Sequence, residues 1–590
     1  MTTLAAAMLS LEEYLGDPAD PGSRMPASRV LELDEREEYP YEFLAALRAW
    51  GLQDWIIPVA HGGKAVNVED GFNLIRSVAR RDPTTATAVM LSSLSFMPIW
   101  IAGTPEQRQH YSDLLRSGAR MAWGLSERDH GSDVLANETR ARRVDGGWVL
   151  DGEKWLIGNC TVADVVCVQA RTADRPGPAA YSVFAIDKRK VPADTWLDLP
   201  NERIHGLRGL DMSGIRLRGC FVGDDALIGR EGQGLEITLK ASQLARTTIN
   251  SMAMGCVDTA LRTTLDFAQR RRIFDEHVID IPYSRGQLVE SFAELLAADA
   301  MAAGAVRALQ LAPKQVSVWS SAVKYLLPTL LERSVSQLAV VLGARYYLRV
   351  REHGMFQKMA RDLLVSNFAD GNTVVNLKNI VAQLGALLDS AATADDSRRA
   401  AAAETARALF DLRVPEAAYE PWNQELNNRG ADDAVLALPV AVAQLREEAG
   451  RDGDGAASLL QAAKLAEQFL AELDRMRAEL AGLRGTWGRD TPRRPEAYEL
   501  AKRYCVVLAA ASCVHLFAYG RAAVAAPLAD PAVLHVCLAR LWQVLHPTAP
   551  LAEPEAVERT AQALLTLHAE DRTFAFRAWP LASRTEGGTR

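Results

Sequence analysis

One block of the chain restricts the fold more than anything else in it. Between about residues 121 and 230 the text turns to short β-branched and aromatic runs bounded by Gly and Pro, such as ADVVCVQAR, AYSVFAID and IRLRGCFVG. On either side it reads as helix. Phe43, Leu44, Leu47 and Trp50 recur at three- and four-residue spacing, as do Met254, Val257, Leu261 and Leu265. A small, mainly antiparallel β-domain set between helical domains follows from that order. Within it, GWVLDGEKWLI reads as two strands about an Asp151-Gly152 turn.

With 590 residues the chain exceeds what one hydrophobic core organises. The expected blocks are an N-terminal α-domain (1–120), the β-domain (121–230), a second α-domain (231–395) and a helical extension (396–590). The polar, Ala-rich stretch SAATADDSRRAAAAE marks the last boundary. Thr104 is placed as a helix N-cap and Gly118 as a stop. SVSQLAVVLGARYYL reads as a helix apolar nearly all round, hence buried.

Several functions are disfavoured at once. A net charge of -8 leaves no basic footprint for nucleic acid. Seven dispersed cysteines form no CxxC pair and read as small buried residues, so no metal site is expected. There is no HExxH, no phosphate-binding Walker loop, no GxSxG and no GxGxxG after a strand. The N-terminus lacks a basic region before its apolar residues, and no stretch of about 18 residues is apolar throughout. A cytoplasmic protein without a transmembrane segment is therefore expected.

Short motifs, each weak alone, gain weight from their order. They run Pro58-Val-Ala-His-Gly62-Gly63, Gly103-Thr104-Pro-Glu106-Gln107, Leu125-Ser-Glu-Arg-Asp-His-Gly131-Ser132-Asp133, Gly152-Glu-Lys154-Trp-Leu156-Ile157-Gly158-Asn159, Gly229-Arg-Glu-Gly232-Gln-Gly234 and Arg271-Arg-Ile-Phe274. In that order they resemble the acyl-CoA dehydrogenase family of flavoproteins, from about residue 41 to 385. The extension is similar to the extra helical domain of very-long-chain members and acyl-CoA oxidases, and implies a packing or dimer role.

The resemblance implies FAD as cofactor and α,β-dehydrogenation of an acyl thioester, carried on coenzyme A or an acyl-carrier protein. A base takes the α-proton and the β-hydride goes to flavin N5. Electrons leave to an electron-transfer flavoprotein or to oxygen, from a homodimer or homotetramer. Leu125, Ser126, Gly131 and Ser132 match the family's first flavin loop, with Ser132 also touching substrate. Leu156, Ile157 and Gly158 match the second. Leu156 replaces a tryptophan that covers the flavin, so an aromatic wall is lost unless Trp155 takes its place. Gly158 replaces a threonine near N5. Arg271 and Phe274 match residues that cross to the neighbouring subunit's FAD, where a guanidinium fork suits a diphosphate. Gln287 and Gly343 match further FAD contacts. Val340 and Ala344 depart from the Gln-x-x-Gly-Gly pattern around Gly343. His130 puts a titratable ring in the first flavin loop.

Asp370 carries the catalytic expectation. Arg361-Asp362 precedes Asp370-Gly371-Asn372 at the family's spacing between its Arg-Asp pair and its Glu-Gly-Thr base motif. Asp370 then matches the base, one methylene short, and Asn372 the threonine. Gly371 and Arg246 fall at the substrate. Some members carry the base just before that arginine, where this chain has Ala245. By its residues alone, an Asp before Gly is commonly a left-handed turn or a cap. Two other functions stay open: a flavin oxidase of another carbon acid, such as a nitroalkane, and a scaffold that keeps the fold without turnover. The altered Leu156, Gly158, Val340, Ala344 and Asn372 motivate the scaffold.

Overall fold

A computed structural model describes residues 3–582 apart from 416, 417, 452 and 454. Six helices open the chain: α1 (Thr3–Leu15), α2 (Ala27–Arg36), α3 (Tyr41–Trp50), α4 (Val68–Arg81), α5 (Pro83–Ala102) and α6 (Pro105–Arg116). Thr104 caps α6 in a full capping box with Gln107, and Gly118 follows the helix end at φ 96°.

Eight strands follow: β1 (Met121–Gly124), β2 (Arg140–Val144), β3 (Gly147–Gly158), β4 (Val165–Arg171), β5 (Tyr181–Asp187), β6 (Trp196–Leu199), β7 (Met212–Gly223) and β8 (Leu227–Ile228). They form one sheet of order β6-β7-β3-β2-β4-β5-β8, antiparallel except where β1 and β2 meet β4. The reversal expected at Asp151-Gly152 is absent. β3 passes through it as a bulge against β7, with Gly152 at φ 145°. An earlier Asp145-Gly146 already makes the two-residue turn between β2 and β3, and β7 pairs with β3 on both sides of the bulge. A second bulge falls between Trp155 and Ile157 and puts Leu156 at φ 58°.

Helices resume with α7 (Gly234–Thr248) and α8 (Asn250–Arg270). A hairpin of β9 (Arg272–Ile273) and β10 (Glu276–His277) leads to α9 (Pro282–Leu311), α10 (Val316–Leu342), α11 (Arg351–Asp362) and α12 (Thr373–Thr393). Met254, Val257, Leu261 and Leu265 are all buried on α8. The burial expected for the whole of SVSQLAVVLGARYYL stops short: α10 ends at Gly343, and Val340, Tyr346 and Tyr347 are exposed.

The last helices are α13 (Asp396–Phe410), α14 (Asp433–Ala449), α15 (Ala456–Trp487), α16 (Pro495–His515), α17 (Pro531–Leu545) and α18 (Pro554–Ala569). One contiguous apolar cluster runs from Leu4 on α1 to Trp579 beyond α18. Two segments, α5 and Pro495–Ala523, are long and apolar enough to cross a membrane, a feature the sequence reading did not anticipate. Of their apolar windows, 72% and 83% are buried inside the protein. All seven cysteines are buried.

Candidate active site

After α11 the chain makes a tight turn over Leu363–Asn367, and Asn372 then caps α12 by accepting from the Val375 N–H at 3.1 Å. Between them Asp370 and Gly371 take successive positive φ values of 57° and 105°. Asp is among the few non-glycine residues that tolerate this region. The turn reading of Asp-Gly therefore describes the backbone, and the same turn presents the side chain.

Asp370 is half-buried. Among the described residues its carboxylate has no hydrogen bond or ion pair. Each of its two cationic neighbours donates to main chain instead. Arg246 Nε donates to the Asp370 carbonyl at 3.2 Å, and Lys324 Nζ donates to the Ser366 carbonyl at 2.5 Å. Burial raises the Asp370 carboxyl above the usual carboxylate range, opposed by the charges of Lys324 and Arg246. Burial also lowers the Lys324 ammonium to about 8.

The loop 125–133 meets this turn from the sheet side. Its frame is a buried ion pair. Lys154 Nζ donates to Glu127 Oε1 at 2.8 Å and to the Leu125 carbonyl at 3.1 Å. Glu127 also accepts from the N–H groups of Glu138 and Thr139 and from the Thr139 hydroxyl. Burial pulls Lys154 down to about 8 while Glu127 opposes the shift. Ser126 accepts from the Trp155 N–H and donates its hydroxyl to the Trp155 carbonyl, both at 3.1 Å. Ser132 Oγ accepts from Asn372 Nδ2 at 3.2 Å, which ties the loop to the Asp370 turn. His130 closes the loop's own turn through paired main-chain bonds with Glu127.

Leu125, Ser126, Ser132, Arg246, Asp370, Gly371 and Asn372 thus belong to one connected group, and Leu156 follows Trp155 on the adjoining strand. Trp155 does not rebuild the missing aromatic wall. Its indole donates to Glu202 at 2.9 Å, and the Arg128 guanidinium lies over the ring at 4.5 Å. Leu156 holds the position itself, 39% exposed on its bulge. Gly158 leaves no gap: a Cβ there would come within 2.5 Å of Leu91 Cδ1, so α5 fills the space that a larger side chain would need. Ile157 is buried beside it.

Arg271, Phe274, Gln287 and Gly343 stand apart, with no hydrogen bond or ion pair to this group among the described residues. Phe274 is 89% exposed at the tip of the β9–β10 hairpin. Gln287 is half-buried near the start of α9, and Gly343 ends α10 at φ 59° with open space at its Cβ direction. Sequence reasoning missed Lys324, Leu91, and the Glu127–Lys154 frame. A signal for the first existed: Lys324 is a lone charge inside the apolar run VWSSAVKYLLPTLL.

The residues fit a flavin dinucleotide. Gly131 leaves open room for a close approach, and Ser126, Ser132 and Asn372 bring polar groups to one rim. The descriptions "Acyl-CoA dehydrogenase, N-terminal domain", "middle domain" and "C-terminal domain" match residues 23–119, 122–220 and 232–385 in turn. The chain belongs to the acyl-CoA dehydrogenase family, and its cofactor is FAD.

Among curated relatives, a probable acyl-CoA dehydrogenase of Mycobacterium tuberculosis is 28% identical over 253 residues, 43% of this chain. The match spans 64% of that relative's length. A cyclohex-1-ene-1-carbonyl-CoA dehydrogenase of Geobacter metallireducens is 25% identical over 358 residues, 60% of this chain and 93% of the relative. An acyl-CoA dehydrogenase of Bacillus anthracis, solved with FAD, shares the fold at a TM-score of 0.70 and 17% identity. It covers 97% of this chain and 96% of its own, so its fold also runs through the helices beyond residue 395.

Proposed function

We propose that this chain dehydrogenates an acyl thioester across its α,β bond, with Asp370 as the base. The observation that carries the reading is the Asp370 carboxylate: unpaired, half-buried, and raised by burial between two cations that bind main chain instead of it. A base needs that combination, because a carboxylate locked in an ion pair is too weak to take a carbon-bound proton. FAD supplies the two-electron acceptor when bound.

Arg246 and Lys324 hold the main chain on which Asp370 sits, so the carboxylate keeps one approach to the α-proton. Asn372 caps α12 and joins Ser132, which keeps the Asp370 turn and the loop 125–133 in register. The thioester is on coenzyme A or an acyl-carrier protein. An apolar cavity of about 70 Å³ lined from α4, α5 and α7 is the place for its acyl chain. Electrons pass to an electron-transfer flavoprotein or to oxygen. We further propose a cytoplasmic homodimer or homotetramer, in which Arg271 and Phe274 serve the partner's cofactor across the interface and Gln287 and Gly343 are further FAD contacts. The shorter arm of Asp370 favours one second reading, a flavin oxidase of another carbon acid such as a nitroalkane.

The test is anaerobic titration of the yellow protein with a thioester panel. Bleaching by one member supports the reading, and bleaching by a nitroalkane alone moves it to the second. Asp370→Asn should retain FAD and reduce it at least ~10²-fold more slowly. Normal reduction by that variant sinks Asp370 as base.

A further inference from the structure

The apolar cavity is not closed by the catalytic core alone. Along α5 it runs from Val89 and Met90 to Met97 and Trp100. On α7 it is lined by Leu244 and Thr248, which stand on either side of Arg246 in the sequence. Its far end is at Trp100. There the closing residue is Tyr419, which comes from the connection between α13 and α14, beyond the three family domains.

Tyr419 is buried and meets Trp100 edge-to-face, with ring centroids 5.1 Å apart at 87°. Its hydroxyl accepts from Gln424 Nε2 at 2.8 Å. The connection is pinned by the core it lies on. Lys240 Nζ donates to the Trp422 carbonyl, Gln243 Nε2 to the Glu425 carbonyl and Arg307 Nη2 to the Val414 carbonyl, at 3.2, 2.9 and 2.9 Å. Tyr419 is therefore a fixed wall.

We propose that Tyr419 is the stop that sets acyl-chain length, so that the C-terminal helices of this chain select its substrate. The inference rests on the thioester reading above. Ten residues of α5 separate Met90 from Trp100, about 15 Å at ~1.5 Å per residue. A straight chain advances roughly 1.3 Å per methylene, from C–C bonds of ~1.5 Å. The stretch of cavity along α5 then takes roughly ten to twelve methylenes of a saturated chain before Tyr419 stops it.

The experiment measures binding of saturated straight-chain acyl-CoAs, from butyryl to stearoyl, to the FAD-loaded full chain by calorimetry. Up to the stop, each methylene should tighten binding ~4-fold, the equivalent of ~0.8 kcal/mol per buried CH₂. Beyond the stop the gain should cease. Tyr419→Ala should move that break outward by roughly four carbons, the reach of the lost ring at ~1.5 Å per bond. Tyr419→Leu, which keeps apolar bulk, should move it by less, and carries the test if the alanine variant does not fold. A break at the same length in wild type and variants overturns the proposal, as does binding that does not depend on chain length. Turnover is read in parallel. A wild type that binds the series but reduces no flavin overturns the dehydrogenase reading, while the position of the break still decides Tyr419.

Discussion

Asp370 and Lys324 show how much a single residue's partners matter. Lys324 is buried on α10, with its ammonium pulled down to about 8, and its donor goes to the Ser366 carbonyl four residues before Asp370. Its charge still lowers the Asp370 carboxyl. Lys324→Met removes that opposing charge, so the Asp370 carboxyl should rise further. The acid limb of the reduction rate against pH should then move to higher pH. The Ser366 carbonyl loses its partner, at a cost of about 1–3 kcal/mol in stability. An unshifted limb in Lys324→Met would show that the lysine only braces the turn.

Elements are joined here by buried charge clusters. On α11, Lys358 Nζ lies 2.5 Å from Asp362, 3.1 Å from Asp82 and 3.5 Å from Asp34, and Arg361 bonds Asp34 at 2.6 Å. Asp362 also accepts from the Leu207 N–H. Arg361 thus staples α2, and Lys358 the start of α5, to the helix that leads into Asp370. Lys358→Met leaves three buried carboxylates without their shared cation and should cost about 3–5 kcal/mol, read as a lowered denaturation midpoint. Glu12 does the same work for α1. It takes a paired contact from Arg81 and a hydroxyl from Ser77 on α4. Burial pushes its carboxyl up, yet Arg81 and Arg80 outweigh that and hold it at about 2 against an ordinary 4.5. A depressed carboxyl stabilises the fold above its unfolded pKa, and that stability is lost as pH falls from about 4.5 through about 2. Glu12→Gln should remove that part of the acid-unfolding profile, roughly 3 kcal/mol by linkage. A profile identical to wild type over that range would show that Glu12 is not its source.

At the scale of the molecule, the extension is part of the core. The segment after α18 returns to the family core: the Phe574 N–H donates to Asp258 on α8, the Phe576 N–H to Asp299 on α9, and the Trp579 indole to Asn73 on α4. Because one apolar cluster spans both halves, heat should unfold the chain in a single calorimetric transition. Two separated transitions would show that the helices beyond residue 395 form an independent unit. The order helix, sheet, helix was legible because 3.6-residue and two-residue periods differ over short windows. The Asp151-Gly152 turn was misread because the dipeptide describes local backbone only. Whether it reverses the chain depends on what pairs with the strand, and here β7 holds β3 straight.

The sequence by itself determined the family and the Asp-Gly turn at 370, since motif order and turn chemistry are local and survive in one dimension. Only the tertiary structure decided which groups share a site. It left the Asp370 carboxylate unpaired, sent Trp155 to Glu202, filled the space at Gly158 with Leu91, and brought Tyr419 against Trp100, more than 300 positions earlier in the chain. Burial and contact between distant segments produce those outcomes, and no short-range pattern in the text encodes them.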